Sequence, residues 1–402
     1  MKKYIRTERA NLFEPNVYIS MVLRISGHIP KEEVKRAVEK AYKANEATMS
    51  RIVMDENGDA YYEKMKESGC KFFYDNRSWE RIINESEQSP FAIHAGELVR
   101  TYMTSKNHDL ILLIHAHHLV GDGKSILVLV KDMIDSLEGK SIEYKQMFLI
   151  DRKFLRKKTK LMLGIRLAVK KANRKWKRVG RVFTWDDYYT VHKRYWEKYS
   201  SEIEVKTYSA SKLKENCKKD VTLNSYLITK LLCEYPESKV VGIPINIREN
   251  DRGMSNQTSG IAVKCQYKKD KSFEENLLGV HKQIYKRIKN RNMKYFILLF
   301  MDELCPTLVD SVLMLTHGCF WNKLSEKMAR IMGYIGNGGR DLGVTNLGKI
   351  EILSDNTKFK VEDIWFIPPK ISYTRNVIGV STYGDTLTVC YHKMKEKVKG
   401  EE

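Results

Sequence analysis

The chain has 402 residues, of which 42% are hydrophobic and 10% aromatic, so it is long enough for two domains and too apolar for a disordered protein. Its formal net charge of +21 at pH 7 indicates anionic partners, such as a phosphorylated cosubstrate, an acidic protein, a membrane surface or a nucleic acid. Seven cysteines without a Cys-x-x-Cys pair, and the lack of an uncharged apolar stretch of roughly 18 residues, exclude a disulfide scaffold and a membrane-spanning helix.

The first 110 residues predict strands mixed with helices. A strand over 17–25 precedes a helix that begins at Pro30, since apolar residues recur there with a period typical of a helix face. Shorter strands are expected over 51–54, 60–62, 71–74 and 98–103, the first two as a hairpin. This mixture indicates an α/β fold class.

The segment from Asp109 to His118 is almost continuously apolar, and both of its alternating faces are apolar. Such a pattern predicts a strand in the middle of a covered sheet. The sequence then runs through Leu-Val-Gly-Asp-Gly into a predicted helix over 125–137. His117 and His118 are therefore expected where a buried strand gives way to a loop and a helix, which is a rigid and accessible position.

Residues 152–178 contain 13 Lys or Arg and no Asp or Glu. Leu155, Met162, Ile165, Val169, Ala172 and Trp176 recur at helical spacing, which predicts a basic amphipathic linker helix. The helix could dock an acidic carrier protein or coenzyme A phosphates, lie on an anionic membrane, bind nucleic acid, or be a solvated face over an apolar stripe. Nucleic acid is disfavoured because no recognised binding module accompanies the charge. Phe154 and Trp176, near the ends of the segment, favour testing the membrane.

The remainder of the chain again predicts helices and strands. Helices are expected over 188–202, 212–217, 223–233 and 273–292. Strands are expected over 240–247, 261–267, 343–348, 350–353, 371–373, 379–382 and 386–392. The predicted domains are 1–150, a basic linker 151–184, and 185–402.

His118 is the candidate general base. A near-neutral imidazole can take a proton from a hydroxyl or an amine, which is typically worth about 10²–10⁴ in rate. Asp122 follows four residues later and is placed to brace the loop through an ion pair. A buried histidine beside a helix-capping aspartate is the structural alternative for the same pattern.

Two other pairs suggest chemistry less strongly. His115 and His117 share one face of the predicted strand, but no cysteine or carboxylate has a spacing that would complete a zinc site. His317 and Cys319 lie close in sequence, yet a nucleophilic thiol needs an activating neighbour in space. We interpret both pairs as structural and predict no metal.

The string His117-His118-Leu-Val-Gly-Asp122-Gly123-Lys-Ser125 resembles the signature of the condensation domains of nonribosomal peptide synthetases. Relatives of these domains share the chloramphenicol-acetyltransferase fold and include alcohol acetyltransferases, polyketide-associated acyltransferases and wax ester synthases. Residues 25–37, 89–100, 241–248, 344–348 and 380–384 are similar, in the same order, to other segments of the family.

The resemblance implies two chloramphenicol-acetyltransferase-like halves with mixed sheets in a V-shaped pseudo-dimer. A tunnel between the halves would bring donor and acceptor to the histidine from opposite sides. In the family the second histidine is the base, here His118, and His117 is its structural neighbour. The aspartate of the motif pairs with an arginine, for which Arg248 is the candidate.

The resemblance also implies how substrates are held. Gly123 would let the backbone pass close to the thioester arm, and Ser125, Thr345 and Asn346 are candidate substrate contacts. No bound cofactor is expected, since the cosubstrate would be acyl-CoA or a phosphopantetheinyl thioester on a carrier protein. We see no adenylation or carrier region and no counterpart of the extra catalytic motif of plant acyltransferases of this fold.

The predicted function is transfer of an acyl group from coenzyme A or an acidic carrier protein to a small hydroxyl or amine acceptor. We expect a monomer in the cytoplasm, with peripheral membrane contact through 152–178 as an alternative. Two rival functions stay open: a catalytically silent module that recruits a carrier protein, and a basic protein that binds membranes or nucleic acid.

Overall fold

The computed structural model describes residues 2–106, 109–215, 217, 220–249, 253–336, 340–352, 358–372 and 374–397. The strands are β1 (Lys2–Tyr4), β2 (Tyr18–Gly27), β3 (Ser50–Met54), β4 (Ala60–Lys64), β5 (Lys71–Tyr74), β6 (Val99–Lys106), β7 (Asp109–His117), β8 (Tyr199–Ser209), β9 (Val240–Asn246), β10 (Thr258–Lys264), β11 (Arg340–Ile350), β12 (Phe359–Ile367), β13 (Thr374–Tyr383) and β14 (Thr386–Glu396). The helices are α1 (Lys31–Lys43), α2 (Trp79–Glu87), α3 (Gly123–Leu137), α4 (Arg152–Lys158), α5 (Leu163–Val179), α6 (Trp185–Lys198), α7 (Ala210–Glu215), α8 (Leu223–Glu234), α9 (Phe273–Lys289), α10 (Arg291–Glu303), α11 (Pro306–Thr316) and α12 (Lys323–Met332).

Two mixed sheets dominate the fold. One has the strand order β12-β2-β7-β6-β5, and the other has the order β10-β9-β11-β13-β14-β8. Strand β7 pairs antiparallel with β2 on one side and with β6 on the other, and its residues from Leu110 to His117 are buried. The prediction of a central, covered strand over 109–118 is therefore confirmed, with His118 just beyond its end.

The two halves of the chain share a sheet and a core. Strand β12 pairs antiparallel with β2, with Ile364 opposite Leu23. Side chains of α10 and α11, such as Phe300 and Leu308, pack in the same core cluster as the N-terminal sheet. The domain boundaries 1–150, 151–184 and 185–402 stay predictions. Elements beyond residue 185, namely β12, α10 and α11, pack with the N-terminal half.

The basic segment is two helices rather than the predicted single one. Helix α4 ends at Lys158, and α5 begins at Leu163. Thr159 between them is extended and buried, and its hydroxyl donates a hydrogen bond to the Asn292 carbonyl. The break changes the direction of the apolar stripe, so Met162, which was predicted to lie on it, is 68% exposed.

The predicted helix over 273–292 is also interrupted. Helix α9 ends at Lys289, and the side chain of Asn290 accepts a hydrogen bond from the N–H of Met293 at 3.3 Å. This N-cap starts α10 as a separate helix, because an asparagine side chain satisfies a free N–H at a helix start.

Several other elements differ from prediction. Residues 199–202 lie in β8 rather than in the preceding helix, and α11, α12 and β12 were not predicted. Residues 371–372 are irregular rather than extended, and the predicted strand ends at 353 and 373 fall outside the described residues. Among the helices described, none is both long enough and apolar enough to cross a bilayer.

Candidate active site

The backbone of His118 is held from both halves of the molecule. It follows β7 directly and opens a short 3-10 helix over His118–Val120. Its N–H donates to the Val17 carbonyl at 2.9 Å, and its carbonyl accepts from Asn256 Nδ2 at 2.7 Å. Because these contacts fix the peptide groups around it, the imidazole projects from a rigid point at the end of a central strand.

The His118 ring has one enclosed and one accessible nitrogen. Its Nδ1 is buried and has no hydrogen-bond partner of good geometry among the described residues, while the residue as a whole is partly exposed. Burial lowers the pKa of His118, and its own backbone carbonyl, the Asp122 charge and Asn256 oppose the shift only in part. At neutral pH the ring is thus an uncharged base, and Nε2 is the nitrogen open to a proton.

Asp122 is a braced carboxylate. It caps α3 and accepts hydrogen bonds from the Ser125 N–H at 3.1 Å, the Gln257 N–H at 3.1 Å and the Thr258 hydroxyl at 2.7 Å. Burial by itself would raise its pKa, but Arg248 and these hydrogen bonds outweigh it and hold the pKa of Asp122 below its usual value. A carboxylate so occupied is poorly suited to take a proton from substrate.

Arg248 makes the predicted pair with Asp122. Its two terminal nitrogens donate to the two carboxylate oxygens of Asp122 at 2.8 and 2.5 Å, and the guanidinium is almost fully buried. The same side chain donates to the Ser125 hydroxyl and to the Ser255 carbonyl, each at 2.8 Å. The bidentate pair joins the start of α3 to the loop after β9.

Ser125 lies inside this network rather than at a substrate surface. Its fully buried hydroxyl donates to the Ser255 carbonyl at 2.8 Å and accepts from the Ser255 N–H at 3.0 Å and from Arg248. These bonds use the donor and both acceptor sites of the hydroxyl. Ser125 therefore has no free hydrogen-bonding group for the predicted contact with substrate. Its role in this structure is to hold Asp122 and Arg248 in place.

The two glycines around Asp122 serve different needs. Gly121 has φ +148°, and a Cβ there would lie 2.4 Å from Ser125 Cβ. Gly123 has ordinary helical geometry, but a Cβ there would lie 2.7 Å from a methyl carbon of Leu347 and 3.1 Å from the Phe366 ring. Gly123 therefore allows β11 and β12 to approach the start of α3, and its predicted role beside a thioester arm stays a prediction.

His115 and His117 are buried in an aromatic core. His117 Nδ1 accepts a hydrogen bond from the Leu119 N–H at 3.2 Å, and the ring packs against Tyr18 and Phe91. Burial lowers the pKa of His117 to about 3 and that of His115 well below its usual value. The described residues contain no cluster of side chains able to hold a metal ion.

Thr345 and Asn346 lie on β11, directly before Leu347, whose side chain approaches Gly123. Asn346 is exposed, donates to Asn224 Oδ1 at 3.2 Å and accepts from the Gly348 N–H at 2.7 Å. In the described part of the chain, neither residue hydrogen-bonds to His118, Asp122 or Arg248. Their contact with substrate stays a prediction.

Sequence reasoning missed two contributors to the site, which are the polar run Ser255-Asn-Gln-Thr258 and the residue Glu8. The run supplies partners to His118, Asp122 and Arg248, and a polar stretch directly before a strand was the available signal. Glu8 is buried beside Asn256, and burial raises its pKa to about 8, against opposing hydrogen bonds from Asn256. No local pattern marks Glu8.

The pair His317 and Cys319 is structural, as predicted. Cys319 Sγ contacts the His317 carbonyl at 3.7 Å, whereas His317 Nε2 lies 3.1 Å from the Ser372 hydroxyl. Burial raises the pKa of Cys319, which disfavours the reactive thiolate.

Comparisons with known proteins show which family and fold the chain resembles. Residues 11–148 match the family model of the condensation domain. The polyketide synthase PksN of Bacillus subtilis (strain 168) is 25% identical over 129 residues, which make up 30% of this chain and 2% of PksN. The chain thus aligns with a very small part of that relative.

Solved structures share the fold over nearly the whole chain. The epimerization domain from the third module of tyrocidine synthetase B has a TM-score of 0.61 at 13% identity, covering 99% of this chain and 92% of that one. A mutant starter condensation domain of rhizomide synthetase RzmA, in complex with C8-CoA and Leu-SNAC, has a TM-score of 0.60 at 8% identity, covering 98% and 88%. The predicted resemblance to condensation domains and the mixed α/β fold of chloramphenicol-acetyltransferase type are confirmed, and the V-shaped two-domain arrangement fits these neighbours.

Proposed function

We propose that this chain, which has the condensation-domain fold and matches that family over residues 11–148, is an acyltransferase with His118 as its general base. The observation that carries the proposal is the geometry of His118, whose backbone is held from both halves of the molecule and whose Nε2 is accessible, and burial also lowers the pKa of this ring. Condensation domains generally act in acyl transfer and amide formation, which agrees with such a base.

The reaction proceeds through one tetrahedral intermediate. Nε2 accepts the proton of a hydroxyl or amine while the oxygen or nitrogen forms a bond to the thioester carbonyl carbon. The negative charge that develops on the carbonyl oxygen requires hydrogen-bond donors nearby, for which Thr345 and Asn346 are candidates. When the carbon–sulfur bond breaks, the imidazolium returns the proton to the departing thiolate. The products are an ester or amide and a free thiol.

Asp122 and Arg248 act as positioning residues. Their ion pair ties the loop after His118 to the loop after β9, so the base keeps one orientation relative to both halves. Because small displacements of a catalytic group are costly, this bracing contributes to the rate without contact with substrate.

The donor is proposed to be acyl-CoA or an acyl carrier protein. Both carry phosphate on the pantetheine arm, and the net charge of +21 favours such anionic partners. The RzmA structure contains C8-CoA, which is a donor of this class. The protein is proposed to act in the cytoplasm, where such thioesters occur.

A panel assay tests the proposal. The chain is incubated with short- to long-chain acyl-CoAs, an acylated carrier protein, and alcohol and amine acceptors, and products are identified by mass spectrometry together with thiol release. We expect an acylated product with the parent chain and with His28→Ala, an exposed histidine outside the site, and formation of product about 10²–10⁴ slower with His118→Ala.

Two outcomes would contradict the proposal. Binding of an acyl carrier protein without transfer would favour the silent recruiting module. Exchange of an α-hydrogen of a carrier-bound aminoacyl group without transfer would favour a reaction like that named for the tyrocidine synthetase domain.

A further inference from the structure

The outward face of α5 is fixed by its packing. Val169, Ala172 and Trp176 are buried in the main core, and Trp176 Nε1 donates to the Thr307 hydroxyl at 2.8 Å. Asn173 donates to the Glu303 carbonyl at 2.8 Å and accepts from the Cys305 N–H at 2.9 Å. Since one face is held in this way, the opposite face points to solvent.

The two basic helices differ in what their charges do. In α4, Arg152 pairs with Asp302 and Arg156 with Glu303, each at 2.5 Å, and Lys158 pairs with Glu249. In α5, all seven Lys and Arg side chains are exposed, and within the described part of the chain none forms an ion pair: Arg166, Lys170, Lys171, Arg174, Lys175, Lys177 and Arg178. Arg152, Arg156 and Lys158 of α4 are therefore engaged in ion pairs within the fold, whereas the cations of α5 are free to contact a partner.

Apolar side chains share the exposed face with these cations. Leu163 and Leu167, one turn apart, are 64% and 55% exposed, and Met162 just before them is 68% exposed. A helix turns by about 100° per residue, so the exposed leucines lie in one row with three cations. This row, opposite the buried face, contains Leu163, Leu167, Lys170, Arg174 and Arg178. Trp176 and Phe154, the aromatic residues first considered for membrane contact, are instead buried and partly buried.

We infer that α5 is a docking surface for an anionic lipid membrane, with the helix lying in the plane of the interface. Met162, Leu163 and Leu167 would enter the boundary between headgroups and acyl chains, and the basic row would contact anionic headgroups. The charge complementarity selects an anionic partner, and the exposed leucines select a lipid surface over a nucleic acid, whose phosphates offer nothing to bury them. This inference does not depend on the acyl-transfer proposal, since it concerns a different surface.

Flotation of the full chain with vesicles tests the inference. Vesicles of phosphatidylcholine alone are compared with vesicles that also contain phosphatidylglycerol. We expect binding to the anionic vesicles, weakened about tenfold or more by Leu163→Ser with Leu167→Ser, and likewise by Lys170→Glu with Arg174→Glu. Thermal unfolding of each variant verifies the fold.

Matched controls alter the same residue types elsewhere. Phe148→Ser removes another exposed apolar side chain, and Lys43→Glu with Lys66→Glu reverses two exposed charges distant in sequence. Both should bind like the parent. The inference is overturned if the parent does not bind anionic vesicles, or if the leucine double variant binds as tightly as the parent. Equal binding of duplex DNA by the parent and the leucine variant, without vesicle binding, would assign the surface to nucleic acid.

Discussion

Asp122 and Arg248 lie 126 positions apart in the sequence, and their buried, bidentate ion pair links the loop after His118 to the loop after β9. The local string around His118 was sufficient to propose Asp122, because a motif of consecutive residues is visible in one sequence. Arg248 was proposed through the family resemblance. Asn256 and Glu8 were missed, since contacts across 138 residues and a buried carboxyl in an unremarkable segment leave no local pattern.

Removing one member of the ion pair leaves the other charge buried and unpaired. We expect Arg248→Met to lower the free energy of unfolding by about 3–5 kcal/mol. The double variant Arg248→Met with Asp122→Asn should lose less than the sum of the single variants, because no unpaired charge remains. Urea unfolding of the four proteins measures this, and strictly additive losses would show that the two side chains do not interact.

Glu8 gives a pH dependence of stability with a defined sign. Its pKa is raised from 4.5 to about 8 in the folded chain, so between these pH values the folded chain keeps the carboxyl protonated while the unfolded chain does not. Stability is therefore lost as the pH rises towards 8. Between pH 5 and pH 8 the parent should lose on the order of 3–4 kcal/mol relative to Glu8→Gln, which mimics the protonated form. Thermal unfolding at both pH values checks this, and identical pH profiles for the two proteins would refute the assignment.

At the scale of elements, the turn from β7 into α3 sets the site. The period of two predicted β7, and the apolar run after Ser125 predicted α3, because both patterns are local. The breaks in the basic segment and after α9 were not predicted. The first break involves a hydrogen bond between distant segments, from the Thr159 hydroxyl to the Asn292 carbonyl. The second is a local N-cap by the Asn290 side chain, which the apolar periodicity of the segment does not reveal.

The two glycines of this turn should respond differently to alanine. Gly121→Ala combines a strained φ of +148° with a contact of 2.4 Å to Ser125, so we expect a loss of about 2–3 kcal/mol. Gly123→Ala has ordinary backbone geometry and meets only the ends of the Leu347 and Phe366 side chains, so it should cost about 1 kcal/mol. Urea unfolding ranks the two variants, and a larger loss at Gly123 would contradict the description of the turn.

At the scale of the whole molecule, the mixture of elements was enough to predict the α/β class, and the ordered motifs were enough to predict the family's fold. The pairing of β12 with β2 could not be predicted, because the sequence pattern of a strand does not show which other strand it pairs with. The same limit applies to His192 of α6, which packs against Tyr18 together with His115 and His117 of β7.

These buried histidines should make the fold sensitive to acid. Burial lowers the pKa of His117 to about 3 and of His192 to about 4, so the unfolded chain binds protons below pH 6.5 that the folded chain rejects. Stability should therefore fall by a few kcal/mol, roughly, between pH 6.5 and pH 4. His117→Asn, which retains an acceptor for the Leu119 N–H, should show a smaller fall in melting temperature over this range. An unchanged fall in the variant would contradict burial of an uncharged His117.

The central claim is that His118 removes the proton of the acceptor. The most direct measurement is the single-turnover rate of acyl transfer at saturating donor, with the parent and with His118→Ala, after thermal unfolding has verified that the variant folds. We predict that the variant is slower by about 10²–10⁴ at pH 7.5, while donor binding is unchanged. A variant that transfers the acyl group as fast as the parent would contradict the account.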